Sequence, residues 1–255
     1  MEAHLPFKTL SKAPINEALI AARLNPTAQA SLNALGGALA LLPDDYQTKR
    51  EPIILSQTQI NFGSQTQVNI GADSPKTVNV EQKQLGWRFG TKSGKYAVQA
   101  RADWFIFSRL PPYTTWGEFA REAENVWQVF NDVYRPPSIQ SVSVRFINEL
   151  GLSHGENVEK YLKFYINVPE GVPQSFANYF ARIELTHSPD TAVIIQSGLL
   201  PPLPDKARLL LDIEVTKAVA PKDKNELWGA INSLQEPKNQ IFFSCITSEW
   251  EARLK

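Results

Sequence analysis

The chain reads as an α+β protein, mostly antiparallel sheet with helices packed on one face and two weakly related halves. Apolar and polar residues alternate with a period of two in many short segments bounded by Gly, Pro, Asn or Asp, the pattern of half-buried strands joined by tight turns. Two longer segments carry apolar residues three and four apart instead, as an amphipathic helix requires. Both halves also run from antiparallel strands into a helix with a Trp near its start, "TTWGEF" and "NELWGA", as two α+β halves sharing one sheet would.

At 255 residues the chain is long enough for one large domain or two intimately packed halves. Its 43% hydrophobic and 20% charged residues are ordinary globular composition. Lys plus Arg equals Asp plus Glu at 26 each, so no long-range field recruits nucleic acid or an anionic membrane. No Lys/Arg-rich run supplies a local one. Cys245 is alone, which excludes an internal disulfide and suits a reducing compartment. The opening "MEAHLPFKTLSKAP" lacks the apolar stretch of a secretory signal. The run "LNALGGALALLP" is well short of the roughly 20 residues of a membrane span. A cytoplasmic protein without membrane contact is expected.

In chain order, a strand is expected around Ile15–Leu24, ending at Asn25-Pro26, where Asn can cap a helix that begins with Pro. Leu32, Leu35, Leu39 and Leu42 then mark an apolar helical face over 28–42. The pair Gly36-Gly37 weakens that helix by about 1 kcal/mol per residue relative to Ala and suits a helix lying close on a sheet. "SQTQINFGSQTQVNIG" (Ser56–Gly71) is an eight-residue phrase written twice, with a looser copy in "SPKTVNV" (Ser74–Val80). Three ragged copies are too few for a solenoid. Residues 56–82 read instead as an exposed antiparallel ribbon, where a partner could add a strand.

"LGWRFGTKSGKYAVQARADWFIFSRL" is a hairpin about "GTKSG", with its second strand running on to Pro111-Pro112. "TTWGEFAREAENVWQVFNDVYRPP" is a helix opened by Thr115 and Glu118 as a capping box. Its stripe of Trp116, Phe119, Ala123, Trp127, Phe130 and Tyr134 could cage a ligand. Gluing the helix to a sheet is the stronger use, since each aromatic buries roughly 150–250 Å². "SIQSVSVRFINEL" alternates as a strand. Further strands are expected at "KYLKFYINV", "NYFARIELTH", "TAVIIQSGLL" and "ARLLLDIEVTK", with "SPD" a tight turn. "APKDKNELWGAINSLQEP" is a helix broken by Pro237. "NQIFFSCITSEWEARLK" is one final helix with Ile241, Phe242, Cys245, Ile246 and Trp250 inward. The expected division is an N-terminal half, 1–152, and a C-terminal half, 153–255, in one compact unit.

Several of these segments together resemble a sporadically distributed, uncharacterised family of prokaryotic proteins of about this length. "PINEALI" is similar to that family's opening P-I-x-E-A, and "SVSVRFINEL" to its R-[FY]-I-N strand, fed by a Trp-containing helix like "WGEFAREAENVWQVFNDVY". "ELWGAINSLQEPKNQIFFSCITSEWEARL" resembles its closing helix pair, in which "F…CIT" precedes a last acidic-basic turn. The resemblance covers nearly the whole chain and implies no established activity. The family's sporadic distribution implies, by analogy, a component of a mobile or defence-type gene module.

Chemistry-bearing motifs are scarce. His4, His154 and His187 stand at no metal-ligand spacing, and neither a C-x-x-C nor an H-E-x-x-H occurs. Nothing near Cys245 in the chain would lower its pKa, so a buried structural thiol is expected. A nucleophile elbow and a phosphate-binding loop are both missing. No cofactor and no metal follow. What remains are charged residues in strands. Asp212 and Glu214 share a strand face in "LLLDIEVTK", as do Arg182 and Glu184 in "FARIELTH". They could hold a metal or move protons, or simply pair across strands. Arg145 and Asn148 in "VRFIN" could read a carboxylate, a phosphate or a base edge if the sheet's second face is open.

Three readings therefore stand open. The first is a non-catalytic binding or accessory protein with a protein partner, or a second copy of itself. Another is a sheet-face binder of nucleic acid or an anionic small molecule through Arg145, Asn148 and Arg182. The third is a metal-dependent hydrolase using Asp212 and Glu214.

Overall fold

The computed structural model describes residues 10–26, 32–46, 50–60, 78–174 and 176–255. Its strands are β1 (Ile15–Leu24), β2 (Glu51–Ile60), β3 (Val78–Gly90), β4 (Tyr96–Arg101), β5 (Trp104–Arg109), β6 (Ile139–Leu152), β7 (Phe180–Ser188), β8 (Thr191–Leu203) and β9 (Lys206–Ala218). Among the described residues these nine form one antiparallel sheet, ordered β2-β3-β4-β5-β1-β6-β9-β8-β7. Its helices are α1 (Leu32–Gly37), α2 (Trp116–Tyr134), α3 (Lys224–Ser233), α4 (Gln235–Cys245) and α5 (Ser248–Arg253). The α+β expectation holds, with a mostly antiparallel sheet. No described helix is long and apolar enough to cross a membrane.

The order of elements repeats. β1 is followed, after α1 and β2, by the meander β3-β4-β5 and then α2; β6 is followed by the meander β7-β8-β9 and then α3. β1 and β6 pair at the centre, with Ile20 opposite Val144 and Ala22 opposite Val142. The repeat in element order turns over between α2 and β6, because β6 occupies in the second run the place of β1 in the first.

One face of the sheet carries the core. Val142, Val144 and Phe146 of β6, Leu211, Ile213 and Val215 of β9, and Phe105 and Phe107 of β5 are all buried there. The aromatic stripe of α2 packs onto that face: Phe105 meets Trp127 with ring centroids 5.1 Å apart, and Phe107 meets Phe119 at 5.9 Å. The Thr115 hydroxyl accepts the Glu118 N–H at 3.2 Å and so caps α2. The Glu118 carboxylate takes the Thr114 hydroxyl instead of completing a box. Arg135, in the left-handed region at φ 49°, ends the helix by donating its N–H to the Asn131 carbonyl.

Several boundaries differ from expectation. The strand through "WFIFSRL" is two strands, because Arg101 and Asp103 pair at 3.0 Å across a turn and the chain doubles back. "KYLKFYINV" is not a strand: Tyr161 and Leu162 are fully buried, and Leu162 makes only an isolated bridge to Ile246. That bridge also splits the final helix, since Ile246 is extended and Thr247 caps α5 afresh. Pro237 does not end a helix. It lies in the first turn of α4, where its missing N–H costs little. The helix expected over 28–42 is α1 followed by a 3-10 turn, Ala38–Leu41, with 27–31 outside the described residues. Of the repeated tract, the ends pair from Ser56 with Gln82 to Ile60 with Val78. Residues 61–77 lie outside the described residues.

Candidate functional site

The other face of the sheet holds most of the charged strand residues. Cross-strand register builds it in rows, since directly opposed residues project to the same side. One row runs Glu17, Ile147, Asp212, Gln196, Arg182, and the next runs Leu19, Arg145, Glu214, Ile194, Glu184. Five of the six expected site residues, Arg145, Arg182, Glu184, Asp212 and Glu214, therefore share this face. Asn148 does not: it lies three residues from Arg145 on a strand of period two, and is buried on the helix-packed side. There its amide nitrogen donates to the Phe146 and Leu211 carbonyls at 3.1 and 3.0 Å.

The charges are largely matched in place. Arg145 grips Asp212 with both arms of its fork, Nε to Oδ1 at 2.9 Å and Nη2 to Oδ2 at 2.5 Å. Gln196 adds a third donor to Oδ2 at 2.7 Å, so Asp212 is 3% exposed on an otherwise half-exposed face. That grip, with Glu214 and Glu17 nearby, pushes the Arg145 guanidinium pKa up against its desolvation. Arg208 holds Glu149 through two bonds of 2.7 Å and keeps its carboxyl below the ordinary range. Arg182 and Glu184 pair more loosely, at 3.2 Å in open solvent. Asp212 thus accepts three charge-assisted bonds from its neighbours on the sheet. Among the described residues no group of three or more His, Cys, Asp or Glu side chains could hold a metal ion.

Between these pairs and β5 lies a trough of about 270 Å³ that sequence reasoning missed. Its floor is a single cross-strand row of small residues, Ala21, Ser143, Thr216 and Ala192. Arg23 and Trp104 stand opposed at one end, with the guanidinium 5.3 Å from the indole centroid. Glu184, Glu214 and Ile194 line the other end. The trough is therefore cationic and aromatic at one end and acidic at the other. Its only trace in the text is one small residue on each of β1, β6, β9 and β8, Ala21, Ser143, Thr216 and Ala192, which become a row only once register is known.

Set beside protein-family models and curated proteins, the chain matches none.

Proposed function

We propose that the chain is a non-catalytic binding protein that holds an extended segment of a protein partner across the sheet face that no described helix covers. The trough with oppositely charged ends carries this reading. It crosses from β5 to β7, five strand spacings or roughly 24 Å, the span of about seven extended residues. Small floor residues let a chain approach the sheet closely, while Arg23 favours an acidic partner residue and Glu184 and Glu214 a basic one. Binding of nucleic acid has less support, because Arg145, Arg182 and Arg208 already face carboxylates on the same surface. The hydrolase reading has less still, with Asp212 locked by Arg145 and Gln196.

The test is native mass spectrometry of the chain, purified gently from its own host, beside Thr216→Trp, which fills the floor, and Arg23→Glu, which reverses one end. The wild type is expected to carry a partner that both variants lose while keeping the wild-type circular dichroism. A wild type without partner, or a complex that survives both substitutions, contradicts the reading. A mass of two chains that both variants split would make the partner a second copy.

A further inference from the structure

A second cavity lies on the opposite, helix-packed side, between α4, β6, the start of α2 and residues 10–15, with a volume of about 240 Å³. Tyr113, Trp116, Phe146, Phe242 and Phe243 supply aromatic walls, and Thr114, Thr115, Asn148, Gln235 and Asn239 supply polar atoms. Lys238 projects among them from the first turn of α4 and is 8% exposed. Its ammonium lies 3.6 Å from the Phe146 ring centroid and gives one hydrogen bond, to the Asn239 side-chain oxygen. Among the described residues no carboxylate lines the cavity. Buried lysines are otherwise found paired, and here no counter-charge stands among the described lining residues.

We propose that this cavity binds a small organic monocarboxylate with a flat, apolar body, its anion set against the Lys238 ammonium and its body between the aromatic walls. Lys238 is the one cation among the described lining residues, which suits a single negative charge better than a phosphate dianion. Aromatic walls suit a planar body, and Thr and Asn groups suit the second carboxylate oxygen. The state of the free amine agrees: desolvation lowers its pKa to about 7. An arriving anion restores the charge, so at pH 8 binding takes up about one proton. Tyr113 is the other titratable residue of the lining, and burial pushes its pKa up, so it stays protonated at pH 8. Lys12, Arg109, Glu118 and Glu236 stand on the neighbouring segments but do not line the cavity.

Isothermal titration of the full chain with benzoate, phenylacetate and indole-3-acetate, beside the corresponding neutral amides, tests this. At least one carboxylate is expected to bind, and to bind at least tenfold more tightly than its amide. Lys238→Met should abolish that preference. Titrating the wild type at pH 8 in two buffers of different ionisation enthalpy needs no variant and should show the proton uptake. Equal affinity for acid and amide, no binding by any of the three acids, or binding without proton uptake would each overturn the proposal. Binding of inorganic phosphate with equal affinity would do so too, by showing a general anion site.

Discussion

Lys238 is a residue whose surroundings oppose its charge. Its pKa is about 7 in the folded chain against about 10.4 in an unfolded one. Between those values the unfolded state binds more protons, so stability rises with pH, by up to about 1.4 kcal/mol per unit. Cys245 works the other way, since burial lifts its thiol from 9.0 to about 11 and stability falls over that interval. The lysine effect is therefore cleanest between pH 7 and 8.5. Urea denaturation should show the wild type gaining up to about 2 kcal/mol across that window. Lys238→Met should be more stable at pH 7 and nearly flat. A flat wild type would mean that water reaches the amine. Arg145 makes the contrasting case: its buried partner Asp212 is gripped by three donors, so this charge stays without conflict.

At the scale of elements, the junction of α4 and α5 shows how tertiary contacts override helical pattern. The apolar spacing from Ile241 to Trp250 would continue one helix, yet the Thr247 hydroxyl donates to the Lys160 carbonyl at 2.6 Å and accepts the Trp250 N–H at 3.3 Å. Lys163 also donates its N–H to the Cys245 carbonyl, closing the end of α4. Breaking the helix lets Trp250 reach full burial against Phe242. Thr247→Ala removes the cap and should cost about 1 kcal/mol, whereas Trp250→Ala should cost about 3–5 kcal/mol. Chemical denaturation of the two variants checks that order. Equal costs would show that burial of the indole adds no more to the junction than the cap does. Gly86 is a second such point: a Cβ there would lie 2.2 Å from the Ala100 carbonyl oxygen, where β3 and β4 draw close.

At the scale of the molecule, the seam between β1 and β6 joins two runs of the same topology into one sheet. Ala18, Ile20 and Ala22 pack beside Val142, Val144 and Phe146 on the core face, so separating the halves would bare an apolar edge on each. Residues 1–135 and 136–255 expressed apart should therefore each lack a cooperative thermal transition, and mixing them should restore one by circular dichroism. A sharp transition from either alone would show that the halves are independent folding units. The seam also places the proposed partner trough, since Ala21 and Ser143 face each other across it. The proposed carboxylate cavity lies under the same central strands on the other side. Two different ligands could thus be held by one sheet without competing for a surface.

Strand period, helical spacing and the Thr115 cap are properties of neighbouring residues, and they were legible before any fold was known. So were the antiparallel architecture, the α2 stripe and the common face of Asp212 and Glu214. Asn148 falls on the opposite side from Arg145, since three steps along a strand change sides. Lys238 also left a trace, four residues before Phe242 on the inward side of α4. The Arg23–Trp104 end and the bridge that breaks the last helix left none. Each joins residues far apart in the chain. A backbone's repeat determines which way its own side chains point; only the packing of distant elements decides which face is covered, which rows align, and where a charge is left without its counterpart.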